Sequence, residues 1–173
     1  MKKTILIVAM LVMACGLSAQ EENSNITIPS GYRAFIEEEN SLQLVSKEHS
    51  LLGVGTTHGF YMNDHCFVGL GFTLIGNESD FLMPVYAAIR YNFSYRSNIT
   101  PVLSFRAGSY LSESTGLYAD LAFGLRFASK RHFAINVMLT GTFYEPTEVY
   151  RYTIGDYTTV NHTGAGIRIG MEL

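Results

Sequence analysis

Read at alternate positions, the final ten residues of the chain separate into two faces. Ala165, Ile167, Ile169, Met171 and Leu173 share one parity, and Gly164, Gly166, Arg168, Gly170 and Glu172 share the other. Successive side chains of a strand point to opposite faces, so one face of this segment is apolar and the other holds glycine and two opposite charges. The same two-residue period recurs upstream, with no helical periodicity between the repeats. Strands are predicted at Tyr32–Glu39, Leu51–Tyr61, Cys66–Ile75, Leu82–Phe93, Thr100–Tyr110, Leu117–Phe127, His132–Tyr144 and Asn161–Leu173. Leu121, Phe123, Leu125 and Phe127 oppose Asp120, Ala122, Gly124 and Arg126, while Val85, Ala87, Ile89, Tyr91 and Phe93 oppose Tyr86, Ala88, Arg90 and Asn92. Leu103, Phe105 and Ala107 oppose Ser104, Arg106 and Gly108, and Phe133, Ile135, Val137 and Leu139 oppose Ala134, Asn136, Met138 and Thr140. In the first strand Arg33 and Glu37 flank Phe35 on one parity, with Tyr32, Ala34 and Ile36 on the other. Within the strand centres every charge is expected on the face of the small and polar residues.

Connections alternate in length. Residues 62–65, 94–99 and 128–131 form short turns, whereas 40–50, 76–81, 111–116 and 145–160 are mostly longer and polar. Short turns at one rim and longer loops at the other fit an all-β, eight-stranded antiparallel up-and-down transmembrane barrel, with both termini at the short-turn rim. A soluble lipocalin-like barrel has the same alternation but hides its apolar face. It would expose a surface rich in Lys, Glu, Asp and Thr. Here the polar face is Gly, Ala, Ser, Asn and Arg, with no lysine in the predicted strands. Small residues mixed with a few long charged ones suit the crowded interior of an eight-stranded barrel, which is just wide enough for side chains to fill. The polar face is therefore assigned to the lumen. Aromatic belts are expected at both rims, with Phe60, Phe67, Phe93, Phe127 and Phe133 at the short turns. Phe81, Tyr110, Tyr118, Phe143 and Tyr144 are the expected belt at the long loops.

The N-terminus supports an exported destination. Lys2 and Lys3 precede an apolar run, Thr4 to Met13, and small residues follow at Ala14, Gly16, Ser18 and Ala19. Residues 1–19 read as a secretory signal peptide, 20–30 as a polar flexible lead and 31–173 as the barrel domain of a bacterial outer-membrane protein. Val12-Met-Ala-Cys15 offers the alternative of lipoprotein processing at Cys15. Cleavage leaves Cys66 alone, which excludes an intramolecular disulfide. A net charge of −3 with singly scattered arginines gives no footprint for nucleic acid.

In this pattern the chain resembles the small eight-stranded outer-membrane β-barrel family, the type of OmpX and the OmpA transmembrane domain, and Gly31–Ile36, Thr56–Gly59, Phe67–Gly71 and Pro84–Phe93 look like segments of a family of outer-membrane β-barrel domain proteins. The resemblance spans the mature chain in architecture and implies lipid of the outer membrane as the environment. It also implies recognition of the last strand by the barrel-assembly machinery, through Ile167, Ile169, Met171 and a terminal residue that is usually Phe. Leu173 departs from that ending.

Candidate chemistry is confined to two places. Arg33, Glu37, Arg90, Arg106, Asp120, Arg126, Arg168 and Glu172 should point into the lumen and form a ladder in which five arginines share three carboxylates, completed by Asn92, Asn136, Ser104 and water. Packed, the ladder is a plug; with a gap, it is a narrow channel favouring anions. The last long loop, with Tyr144, Tyr150, Arg151, Tyr152 and Tyr157, is the candidate surface for an extracellular protein or glycan. A lipid-modifying enzyme would need a Ser/His/acid set at the outer rim. His49 lies with Ser46, Glu48 and Ser50, and His162 lies near Thr163, but neither cluster has the His-x-Ser spacing of barrel lipid A deacylases. No metal site or cofactor is expected, since no Cys or His pair has ligand spacing. The reading is a non-enzymatic barrel with a structural or surface-interaction role; a narrow channel, a soluble periplasmic binder and a lipid-modifying enzyme are the alternatives.

Overall fold

A computed structural model describes residues 31–43, 50–76, 81–94, 98–111, 116–130, 133–144, 147–151, 156–160 and 163–173. The expected signal peptide with Cys15, and the lead at 20–30, lie outside the described residues, as do His49, His132 and His162. Every regular element described is a strand: β1 (Gly31–Gln43), β2 (Ser50–Tyr61), β3 (Cys66–Gly76), β4 (Phe81–Leu82), β5 (Pro84–Asn92), β6 (Ile99–Tyr110), β7 (Leu117–Lys130), β8 (Phe133–Tyr144), β9 (Thr147–Arg151), β10 (Asp156–Val160) and β11 (Gly164–Glu172).

The main sheet closes on itself. Its order is β2-β1-β11-β8-β7-β6-β5-β3, β2 also pairs with β3, and every pairing is antiparallel. The seam joins the first strand to the last from Phe35↔Glu172 to Gln43↔Gly164, and Ala34 and Leu173 exchange backbone hydrogen bonds beyond it. The result is an eight-stranded cylinder, as the alternation predicts.

Three details of the ladder differ from expectation. The single strand expected over Leu82–Phe93 is two, β4 and β5, separated at Met83. Pro84 has no N–H to give to a ladder and restricts the residue before it, so pairing breaks there; the Met83 carbonyl accepts from the Leu111 N–H instead. Strand β7 runs on to Lys130 through an irregularity between Ala128 and Lys130, which brings a lysine into a strand. The expected loop 145–160 contains a hairpin, β9 and β10, paired as a separate two-stranded sheet with Tyr150 opposite Tyr157 and Arg151 opposite Asp156. Val149, Tyr150, Tyr157, Thr158, Thr159 and Val160 are β-branched or aromatic and favour extended backbone, a preference outweighed in the sequence reading by the charges among them.

Burial follows parity. Strand β5 alternates buried and exposed without a break from Pro84 to Asn92. The outward face carries exposed apolar side chains all round the cylinder, with Leu70 and Leu139 each 69% exposed, while polar and charged groups are buried inside. Ile135 has outward parity yet is buried, in register between Phe127 of β7 and Met171 of β11. The aromatic belts need correction. Phe60, Phe93 and Phe143 face outward, but Phe67, Tyr110, Tyr118 and Tyr144 turn into the lumen and are almost fully buried. Position near a rim placed them in the belts, whereas strand parity decides which way they point.

Glycine on the inward face of β2 and β3 makes room for one of these rings. Gly59 stands opposite Gly69, and a Cβ on Gly59 would lie 2.1 Å from the Val68 carbonyl oxygen and 2.7 Å from Phe67 Cζ. Outward-facing Gly141 is open, its nearest neighbour being the Leu121 carbonyl oxygen at 4.0 Å. Gly59→Ala is expected to lower stability by about 1–3 kcal/mol through overpacking. Gly141→Ala should leave stability unchanged or slightly raised. Urea midpoints of the two refolded variants check the pair.

Candidate functional site

The lumen is built in layers along the barrel axis. Nearest the short-turn rim, Phe35, Tyr61 and Phe67 pack edge to face, with ring centroids 4.9 and 5.5 Å apart. Arg126 grips Glu172 with two hydrogen bonds, Nε to Oε2 at 2.6 Å and Nη2 to Oε1 at 3.1 Å. Arg33 approaches the same carboxylate at 3.7 Å and donates to the Tyr32 carbonyl at 2.8 Å.

The middle layer centres on Glu37. Arg90 donates to its Oε1 and Arg106 to its Oε2, so each carboxylate oxygen faces its own guanidinium. Both cations also lie over rings: Arg90 Cζ is 3.8 Å from the Phe35 centroid and Arg106 Cζ 4.7 Å from that of Tyr86. Attraction to the ring face adds to the ion pair and holds each guanidinium plane. Above Glu37, Arg168 reaches two carboxylates, donating from Nη2 to Glu39 Oε2 at 2.9 Å and to Asp120 Oδ1 at 2.6 Å. Arg106 Nη1 lies 4.0 Å from Glu39 Oε2, which links the two groups. Val102, Ala122 and Met138 form an apolar patch in the lumen wall. At the long-loop end Ile75, Leu82, Tyr86, Tyr110, Tyr118 and Tyr144 form a second apolar cluster with Ala88.

All eight sequence-assigned charges lie in the lumen and are buried. A fourth carboxylate, Glu39, was missed by the sequence reading. It shares the parity of Arg33 and Glu37, which was signal enough, but it stood at the end of the predicted strand, whereas β1 continues to Gln43. Five arginines therefore meet four carboxylates. The polar residues expected to complete the ladder do otherwise. Asn92 donates to the Tyr61 hydroxyl at 3.0 Å, while Asn136 Nδ2 and Ser104 Oγ have no hydrogen-bond partner among the described groups.

The candidate contact loop divides. Tyr144 is not a surface residue: it is 1% exposed and packs on Tyr118, with ring centroids 5.3 Å apart. Tyr150, Arg151 and Tyr157 belong to the β9–β10 hairpin, and Tyr152 lies outside the described residues. In the closing strand Ile167, Met171 and Leu173 are exposed on the outward face and Ile169 is half-buried there.

Glu37→Gln should leave Arg90 and Arg106 without their shared charge. Breaking a buried pair strands its partner, so a loss of about 3–5 kcal/mol in unfolding free energy is expected. Replacement of Arg33 by Gln should cost less, about 1–2 kcal/mol, because its 3.7 Å approach is weak and Glu172 keeps both hydrogen bonds from Arg126. Urea unfolding of both variants followed by tryptophan-free probes, such as circular dichroism, checks the ranking.

No protein-family model matches the chain, and no curated protein matches it. Solved structures do. The crystal structure of Neisserial surface protein A superposes with a TM-score of 0.59 at 15% identity, covering 84% of this chain and 98% of that one. The N-terminal β-barrel domain of Pseudomonas aeruginosa OprF superposes with a TM-score of 0.52, also at 15% identity, covering 84% of this chain and all of that domain. At such identity the likeness is one of fold: this chain has the closed, eight-stranded, all-antiparallel architecture seen in those two barrels.

Proposed function

We propose that the protein is an integral barrel of a bacterial outer membrane, closed through its centre by ion pairs, with a structural or surface-interaction role and no catalysis. The observation that carries this reading is the inversion of the wall. Large apolar side chains are exposed outside, and guanidinium–carboxylate pairs are buried inside. A soluble carrier needs the opposite arrangement, with its apolar residues around a ligand. Lipid outside satisfies the apolar face, and the closed ladder leaves no backbone edge to it.

A plug fits the lumen better than a pore. Charged groups span it in paired layers, and aromatic or tyrosine-rich clusters stand at each end. The interaction role rests on the hairpin β9–β10, which extends from β8 and β11 at the long-loop end as its own sheet with two strand edges. A paired hairpin with free edges offers backbone donors and acceptors to an extended segment of an extracellular protein. The assembly machinery remains a proposed partner for β11 during insertion; Leu173 keeps the outward apolar parity without an aromatic ring.

Fractionation should place the protein with outer membranes, as a band whose gel mobility changes on boiling. In planar bilayers the purified barrel should give no steady conductance; large, sustained currents would overturn the plug. Deletion of residues 146–158 should leave insertion and heat-modifiability intact while removing cell-surface binding or adhesion. Unchanged binding would remove the interaction role.

A further inference from the structure

The charges inside the barrel do not cancel. Among the described residues, Arg33, Arg90, Arg106, Arg126 and Arg168 are buried with Glu37, Glu39, Asp120 and Glu172, which leaves one cation in excess. Glu38 does not make up the difference. It is exposed on the outer face between buried Glu37 and Glu39, which corrects the expectation that every strand charge faces inward. Hydrogen bonding is out of balance in the same direction. Among the described residues, six buried side-chain N–H groups have no acceptor: Arg33 Nη2, Arg90 Nε and Nη1, Arg106 Nε, Asn136 Nδ2 and Arg168 Nη1. The hydroxyls of Ser104, Tyr118 and Thr140 are also unpartnered and can donate or accept, whereas Asp120 Oδ2 is the one carboxylate oxygen in this state.

Three of the residues that carry these groups converge on one level of the bore. Ser104 on β6 stands opposite Ala122 on β7, and Asn136 on β8 stands opposite Arg126 on β7. Gly124 lies midway between Ala122 and Arg126, so the two polar side chains point inward on either side of a residue that has none. Arg90 on β5 is the direct neighbour of Ser104 on its other side. Its side chain crosses the bore, where Nη2 donates to Glu37 Oε1 and Cζ lies 3.8 Å from the Phe35 ring centroid. Glu37 in turn shares a row with Asn136, the two being separated by Gly170. Arg90 therefore runs from the row of Ser104 to the row of Asn136, carrying two unpartnered N–H groups over the level of Gly124.

We propose that the lumen binds one small monovalent anion of the halide class, held by an N–H of the Arg90 guanidinium, the Asn136 amide and the Ser104 hydroxyl. Two requirements meet in that ligand. A water molecule brings its own hydrogens with the lone pairs it offers, so it moves the surplus of donors along without removing it. An anion accepts from several donors and brings none. Its charge also cancels the one cation in excess, and an uncompensated charge is costly where solvent is excluded. Size narrows the choice further: an eight-stranded bore is only wide enough for side chains, which suits a monatomic ion rather than a polyatomic one. The ion completes the plug of the closed barrel, so the inference rests on that reading. Conductance and halide binding are read separately, which tells a pore that binds halide from a plug that does not.

The test uses the full mature chain refolded in detergent. At constant ionic strength, replacing gluconate by chloride should raise the urea midpoint along a saturating curve, because a ligand of the folded state stabilises by mass action. Asn136→Asp builds a carboxylate into the site and should abolish the chloride dependence. Ser104→Ala should weaken chloride affinity several-fold, while Gly141→Ala on the outer face should keep the full response. Crystals of the unaltered barrel refolded in bromide should show an anomalous peak beside Arg90, a readout that requires no variant to fold. Any of three results overturns the proposal: equal midpoints in chloride and gluconate; an unsaturated rise that persists in Asn136→Asp, the mark of a general salt effect; or bromide at the barrel surface only, an adventitious ion only, with water beside Arg90.

Discussion

The pairing of β1 with β11 is the constraint on which the other features rest. Once the first and last strands share a ladder, the cylinder has no edge, and each strand residue has only two places to put its side chain. An eight-stranded cylinder is narrow, so the inward half of the sequence must fill a fixed volume. That explains why long side chains alternate with glycine there. Phe67 occupies space that Gly59 and Gly69 give up, and the guanidiniums of Arg90, Arg106 and Arg168 fill the centre that no chain of short residues could reach.

Burying so many charges is tolerable because all but Arg33, whose ion pair is a single approach of 3.7 Å, are held by at least one close guanidinium–carboxylate contact. Arg168 bridges Glu39 and Asp120, Glu37 bridges Arg90 and Arg106, and Glu172 takes Arg126 in a two-pronged grip. Desolvation of such groups costs more than one isolated pair returns. Shared partners and ring stacking offset that cost, and they make the network specific: each guanidinium has two directions to satisfy. Replacing the centre of the lumen with apolar side chains would fill the volume but would lose this directional register.

The alternation of the strands made the barrel, its sidedness and eight lumenal charges legible without coordinates. Errors arose where another cue was allowed to outrank parity. Phe67, Tyr110, Tyr118 and Tyr144 were placed in belts because they lie near rims, and Glu39 was left out of the ladder because it stood at the end of the expected strand, four residues short of where β1 stops. The hairpin β9–β10 was hidden by charged residues within a strand-favouring run. Glu38 is a different case. Its parity was readable, but an outward carboxylate contradicts the pattern that the other strands establish, and only the alternation around it, with Glu37 and Glu39 buried and Ile36 and Asn40 exposed, makes the exception secure.

The position of Glu37 has a mechanical meaning. Its strand, β1, lies diametrically across the cylinder from β6, which carries Arg106. The pair is therefore a strut spanning the bore, not a brace between neighbours along the wall. A thin cylinder deforms most easily by becoming oval, with one diameter shortening as the perpendicular one lengthens. A strut of fixed length along β1–β6 stiffens the ovalisation whose principal axes run along it and across it. The distortion inclined midway between those axes is left softer, so the barrel resists lateral squeezing more in some directions than in others.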